Sequence, residues 1–290
     1  MKTDELFECV ANFSEGRRHD VIDRIVRAAS KSAKVLDLHS DPDHNRSVLT
    51  IAGEKDSILE AAIDATDEAA QLIDLRSHKG EHPRLGAMDV VPFVPLKGSS
   101  IESAVAIARN CAARISSELS IPTFLYESAA RSGDPTDLPS IRRGAFRSLT
   151  PDFGGPDPHP TAGATVVGAR NLLVAFNVNL STKDVVIAGR VARAVRERDG
   201  GLKHVRALAF ELVSRSLVQV SMNLTSPEET TLDKVLRAVQ AAAATERVGI
   251  VGTELVGVAP LRAFGGRRPE ELGLEPSAKV LEEVLDQAFS

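Results

Sequence analysis

Between Thr150 and Gly163 the chain reads TPDFGGPDPHPTAG, four prolines and three glycines in fourteen residues. Proline lacks the N–H a helix or ladder needs, and glycine loses the most entropy in either. That density predicts an irregular connection, and a connection this long inside a compact chain is usually a linker or a functional loop. At 290 residues the chain is long enough for two domains, one on each side of it.

The same order of elements is predicted on both sides. Before the connection, strands fit residues 6–11, 35–38, 47–52, 90–94 and 123–126. Helices fit 55–73 and 100–119, and another in which Val21, Ile22, Ile25, Val26 and Ala29 recur at helical spacing. One short helix fits within 133–146. After the connection, strands fit 171–180, 205–212, 218–224 and 249–255. Helices fit 227–245, 259–264 and 277–289, and another, capped by Ser181 or Thr182, runs to about Arg198. Both parts thus contain strand-helix-strand-strand-helix-strand, which predicts an α/β (α+β) chain. It has two βαββαβ-like subdomains, 1–168 and 169–290, with mixed sheets backed by helices. No G-x-G-x-x-G follows a strand and no Walker A loop occurs, so a Rossmann or P-loop fold fits less well.

Composition excludes several partners. Net charge is −5 and no long run of one sign occurs, which argues against nucleic acid. With no Trp and one Tyr, base-stacking platforms are not expected either. No apolar run approaches the roughly 20 residues that cross a bilayer, and the N-terminus does not read as a signal peptide. Cys9 and Cys111 lack C-x-x-C spacing and read as core residues in a reducing compartment, so a cytoplasmic protein is expected.

His78-Lys79-Gly80-Glu81-His82 matches H-x-x-E-H, a zinc-protease pattern. Two histidines four apart share a metal only on a helical face. Gly80 lies between them, and Pro83 pushes His82 out of the helical region. The expectation is a loop without a metal. It concentrates Arg76, His78, Lys79, Glu81, His82 and Arg84 beside an apolar strand. Such a cluster is either a solvated surface or an anion site with a histidine titrating near neutrality. Two further polar islands follow strands. Asp41–Ser47 holds His44, a proton-transfer candidate, and Arg46, a carboxylate fork; Asn12–Arg17 reads as a turn and helix cap. Convergence of the three on one site is expected.

Seven segments carry a resemblance. They are ECVANFSEGRR (8–18), DPDHNRSV (41–48), LIDLRSHKGEHPRLGAMDVVPFVP (72–95), PDFGGP (151–156), GARNLLVAFNVNL (168–180), VQVSMNL (218–224) and GTELVGVAPL (252–261). Running in that order over nearly the whole chain, they resemble the formiminotransferase family. The resemblance implies transfer of the formimino group of N-formimino-L-glutamate to N5 of tetrahydrofolate, the co-substrate. The products are 5-formiminotetrahydrofolate and L-glutamate, and the step belongs to histidine degradation. It also implies a folate tunnel between two α/β subdomains, and a homodimer.

Carried over by position, the catalytic histidine is His82. The folate segment is Gly154, Gly155, Pro156, Asp157, Pro158, His159, Pro160, Thr161, Ala162 and Gly163. Arg46, Lys79 and Arg84 are expected to hold carboxylates, and Asn12, Asn177 and Asn179 to hydrogen-bond the pterin or the amidine. Two positions depart from the animal bifunctional members. Ala162 stands where they have a bulky aromatic, and His39 stands where they have an aspartate. Asp37, Asp41 or His44 can substitute for that aspartate. The chain ends before their cyclodeaminase domain, which predicts a single-activity transferase. Formyl transfer from N-formylglutamate, handling of 5-formyltetrahydrofolate, and folate binding without catalysis are the alternative readings.

Overall fold

The computed structural model describes residues 5–80, 83–275 and 278–290. Two compact units divide it, Met1–Asn171 and Leu172–Ser290.

The first unit runs β1 (Leu6–Phe13), α1 (His19–Ala29), β2 (Lys34–Asp41), β3 (Arg46–Glu54), α2 (Lys55–Leu72) and β4 (Met88–Pro95). It continues with α3 (Ile101–Leu119), β5 (Thr123–Glu127), α4 (Leu138–Gly144) and β6 (Thr165–Ala169). Its sheet has the order β2-β3-β1-β4-β6-β5. The pairs β1·β3, β1·β4 and β2·β3 are antiparallel, while β4·β6 and β5·β6 are parallel. Strand alternation sends Phe7, Cys9, Ala11 and Phe13 of β1 into one core with Ile22, Ile25, Ile58, Ile107 and Ile115 of the helices. Each fully buried aromatic or aliphatic side chain there contributes roughly 2–3 kcal/mol. The opposite face carries Glu8, Val10 and Asn12, and a smaller core under α4 covers its β5 end, with Phe124, Tyr126, Ile141 and Val166.

The second unit runs β7 (Val174–Leu180), α5 (Val185–Val195), β8 (Val205–Leu212), β9 (Leu217–Leu224), α6 (Leu232–Thr245) and β10 (Ile250–Val256). The strands β11 (Val258–Ala259) and β12 (Lys279–Val280) form a short parallel pair, and α7 (Leu281–Phe289) follows. The four-stranded sheet has the order β10-β7-β9-β8. This repeats β4-β1-β3-β2 of the first unit, as the shared order of elements predicts. The repeat extends to single bonds: Ser14 N–H donates to Ala87 O at 2.8 Å, and Ser181 N–H donates to Gly249 O at 2.9 Å. The second sheet differs from expectation in being antiparallel throughout. Each of its crossovers skips a position, so the parallel strands β7 and β8 are separated by the antiparallel β9.

Other local differences have physical causes. β6 is absent from the sequence reading because TVVGA is short, contains glycine and is buried at every position, so it shows no alternation. α5 is capped by Asp184, whose carboxylate accepts from Val186 N–H at 2.8 Å. Ser181 is unavailable as cap because its hydroxyl accepts from Gly249 N–H at 2.8 Å. α6 begins at Leu232, after a turn over 227–229. Among the described residues no helix is long and apolar enough to cross a membrane.

Glu8 is buried in β1 at 3% exposure, and Arg170 is the charged group acting on it. Burial pushes its carboxyl up to about 7, and the Arg170 guanidinium offsets only part of that. The folded protein therefore holds this proton more tightly than the unfolded chain, so stability falls as pH rises from about 4.5 to 7. Glu8→Gln is expected to remove that slope and to be more stable than wild type at pH 8, by up to roughly 3 kcal/mol. Denaturant unfolding between pH 4.5 and 8 checks this, and parallel stability curves for the two proteins would refute it.

Candidate functional site

Three loops of the first unit meet. The turn after β1 packs on the β2–β3 turn so closely that a Cβ on Gly16 would lie 2.3 Å from Asp41 O. Gly16 N–H donates to Asn45 Oδ1 at 2.9 Å, and Asn45 Nδ2 donates to Lys79 O at 2.9 Å. Asn45 thereby bridges all three loops from a left-handed conformation, φ 47°, which asparagine tolerates. A Cβ on Gly80 would lie 2.4 Å from His44 O, so the histidine-rich loop rests directly on the β2–β3 turn. Residues 73–80 are not helical, as Gly80 and Pro83 predict.

Glu15 fixes the first loop. Its buried carboxylate accepts from Arg17 N–H at 2.9 Å, Arg18 N–H at 3.0 Å and Arg18 Nε at 2.5 Å. Burial raises its pKa, but these donors outweigh burial and hold it below the ordinary carboxylate value. His78 is held at both ring nitrogens, by Arg84 at Nδ1 and by Asn45 O at 3.2 Å from Nε2. These contacts give His78 a structural role.

The charged centre lies where these loops meet β4. Arg46 opens β3 opposite Asp41 of β2. Burial lowers its pKa to about 10, with Arg142 and Arg84 lowering it further and Asp89 and Asp41 opposing them. It remains cationic at neutral pH. Burial likewise lowers Arg84, with Asp89 as its main opposing charge. Arg84 NH2 donates to Gly80 O at 3.0 Å. Asp89 is 1% exposed; it accepts from Leu85 N–H at 2.5 Å and Gly86 N–H at 3.2 Å, and it pairs with Arg142. Among the described residues, the guanidinium groups of Arg46, Arg84 and Arg142 and the carboxylates of Asp41 and Asp89 act on one another there, and Arg17 also acts on Arg84. His44 is 5% exposed, its N–H donates to Asp41 Oδ1 at 2.8 Å, and its ring lies 3.7 Å from Asp41 Oδ2. Asp37 and His39 pair with Thr50 and Val48 on β3, and Asp41 with Arg46. Of the three substitutes considered for the missing aspartate, Asp41 and His44 are therefore the two beside Arg46.

The proline-rich connection lies against the histidine loop. Leu75 N–H donates to Thr161 O at 2.9 Å, Ala87 N–H to Ala162 O at 2.8 Å, and Ala164 N–H to Leu85 O at 3.0 Å. His159 closes the tip of the connection. It exchanges backbone bonds with Gly163, and its Nδ1 accepts from Ala162 N–H at 3.0 Å. Gly154, Gly155, Pro156, Asp157, Pro158 and Pro160 are exposed, while Ala162 is 1% exposed and packs in the core.

Asn12 lies in β1 beside a bulge, its Nδ2 donating to Val10 O at 2.9 Å. Lys79 is exposed. Asn177 and Asn179 belong to β7 of the second unit. His82 lies outside the described residues, between Gly80 and Pro83. Sequence reasoning missed Asp89, Arg142 and Asn45. Asp89 left a signal, an acid alone inside the apolar run AMDVVPFVP; Arg142, on a short helix with no diagnostic spacing, left none.

The family model described as formiminotransferase domain, N-terminal subdomain, matches residues 6–170, and that described as formiminotransferase domain matches residues 175–266. The chain is 42% identical over 272 residues to a glutamate formimidoyltransferase of Thermoplasma acidophilum, covering 89% of each chain. It is 41% identical over 271 residues to the same-named protein of Streptococcus pyogenes serotype M1, covering 90% of this chain and 91% of that one. Against the formimidoyltransferase-cyclodeaminase of Mus musculus it is 42% identical over 278 residues, covering 90% of this chain and 51% of the other. With this order of motifs, two family models over most of its length and relatives matched almost end to end, the chain belongs to the formiminotransferase family.

Proposed function

We propose that the chain is a glutamate formimidoyltransferase. It moves the formimino group of N-formimino-L-glutamate to N5 of tetrahydrofolate and yields 5-formiminotetrahydrofolate and L-glutamate, within histidine degradation. One observation carries this reading beyond the family: the connection over 159–164 is laced to residues 75 and 85–87, beside the buried Arg46 and the guanidinium groups of Arg84 and Arg142. Such a site suits ligands with carboxylates at one end and a reacting nitrogen at the other.

Arg46 and Arg84 would hold carboxylates of the glutamate moiety, with Lys79 screening from outside. Gly154–Gly163, exposed from Gly154 to Pro158 and at Pro160, would lie along the folate. His82 would take the proton that N5 loses as it attacks the protonated amidine carbon. The same imidazolium then returns that proton to the departing glutamate nitrogen as the old C–N bond breaks. One histidine near neutrality serves both steps, contributing about 10²–10⁴-fold. His44, paired with Asp41, is the second candidate for proton transfer. We place the enzyme in the cytoplasm as a homodimer. Leu208 and Val213, exposed aliphatic side chains at the β8 edge, are a surface that a dimer would bury.

Incubation with tetrahydrofolate and either donor, following which is consumed, tests the activity. Formiminoglutamate should be consumed, and turnover of N-formylglutamate alone would replace this reading by formyl transfer. His82→Ala should fold, bind tetrahydrofolate and lose about 10²–10⁴-fold in kcat; near wild-type kcat would remove His82 from the chemistry. Arg46→Ala should raise KM for formiminoglutamate roughly tenfold or more, as loss of a charge-assisted hydrogen bond does; unchanged KM for both substrates would sink its role. Sedimentation should give about twice 31.0 kDa, and a monomer at micromolar concentration would refute the dimer.

A further inference from the structure

The same β-bulge occurs in both units and is filled differently. Asn12 and Phe13 of β1 face Val90 and Met88 of β4, as Asn179 and Leu180 of β7 face Gly252 and Ile250 of β10. The inserted residue is Asp89 in β4 and Val251 in β10. Asp89 is 1% exposed and Val251 54%. A bulge aims the side chain it inserts, and here one unit buries a carboxylate where the other exposes an alkyl group.

The N–H groups just before each bulge show what the first unit needs there. In the second unit residues 246–249 join α6 to β10, and Arg247 and Val248 N–H donate to Ala244 O and Ala243 O of α6, both at 3.0 Å. In the first, the longer segment 73–87 joins α2 to β4, and the matching N–H groups of Leu85 and Gly86 donate to Asp89 Oδ1. Asp89 thus stands in for two helix carbonyls at the returning end of the histidine loop. A neutral amide would meet the same two donors, so the fold asks only for an acceptor. The residue is nevertheless charged, and its second oxygen takes Arg142 of α4. Burying that pair is unfavourable. Among the described residues, Arg142 Nε is buried without a hydrogen-bond partner, a donor that native structures rarely leave unmet.

We infer that Asp89 and Arg142 are positioning residues for the proposed formimino transfer, on which this inference rests: the charged pair fixes the returning arm of the histidine loop, residues 84–86, against β4. Held at one oxygen by Arg142, the carboxylate presents the other to Leu85 and Gly86 in a single orientation, which sets where Arg84 stands. Asp89 is also a charge that acts on both Arg84 and Arg46. The pair acts through the residues that the loop carries.

Steady-state transfer from N-formimino-L-glutamate to tetrahydrofolate, with melting temperatures, tests this in the full chain. The double variant Asp89→Asn/Arg142→Leu keeps an acceptor for Leu85 and Gly86 while removing both charges. It should melt at or above the wild-type temperature, because a buried ion pair is often replaceable by neutral groups. Its KM for tetrahydrofolate should stay at the wild-type value, and its kcat should fall about 10²-fold, as misplacing a reacting group by an ångström does. Should it fail to fold, Arg142→Lys is compared with Arg142→Met. An ammonium can restore the single contact to Asp89, so the lysine variant should keep roughly tenfold more kcat than the methionine variant. Near wild-type kcat in the double variant overturns the inference, as does a loss of kcat that merely follows the folded fraction, or equal losses in the lysine and methionine variants. A wild-type chain that leaves formiminoglutamate unconsumed refutes the proposed activity and this inference with it. An active wild type with an unimpaired double variant refutes the inference alone.

Discussion

The parallel pairing of β4 with β6 fixes the site in the first unit. With Val90 opposite Val166 and the two strands running the same way, the segments that enter them must travel side by side. Those segments are the end of the histidine loop and the end of the proline-rich connection. Just before that ladder, Ala87 N–H to Ala162 O and Ala164 N–H to Leu85 O flank Gly86 and Gly163 in an isolated antiparallel bridge between the two loops. The approach leaves no room for side chains: a Cβ on Gly86 or Gly163 would lie 2.1 Å from a backbone oxygen of the other segment. Isolated hydrogen bonds contribute only about 1 kcal/mol each. Their larger effect here is geometric, because they give two irregular loops the positional certainty of a sheet.

Charge organises what the pairing brings together. Burying Arg46 beside Arg84 and Arg142 is unfavourable through both desolvation and like-charge repulsion, and Asp41 and Asp89 offset only part of it. Asp89 carries most of that load. One of its oxygens ties the loop to β4 through two backbone N–H groups, while the other holds Arg142 from α4. The guanidinium cluster is thus anchored at the end of a strand. The second unit carries different side chains on the same topology, with the Glu254 carboxylate taking Asn179, Gln219 and Arg215.

Much of this was legible in the residues. The period of the apolar positions and the Gly/Pro punctuation are local signals, so the strands and helices of the βαββαβ repeat could be read off, as could the absence of helix over residues 74–80. β6 could not, because what makes TVVGA a strand is a slot between β4 and β5, tens of residues away in sequence. Arg142 was hidden for the same reason, its meaning residing in Asp89. The two asparagines of β7 looked alike in NVNL, and only cross-strand partners separate them: Asn179 is consumed by Glu254 and Gln219, while the Asn177 oxygen is not. The buried Ala162 shows the reverse error, a residue in a binding segment whose side chain belongs to the core.

The paired backbone bonds of Ser14 and Ser181 also bear on what the two units share. Overlaying the units at those serines leaves two copies of one four-stranded design, with α3, β5, α4 and β6 surplus to the first. That surplus carries Arg142 and the whole proline-rich connection. The segment that flanks the histidine loop has no counterpart in the second copy, so residues 101–169 belong to the first unit alone, while the shared frame is held in each unit by its own core.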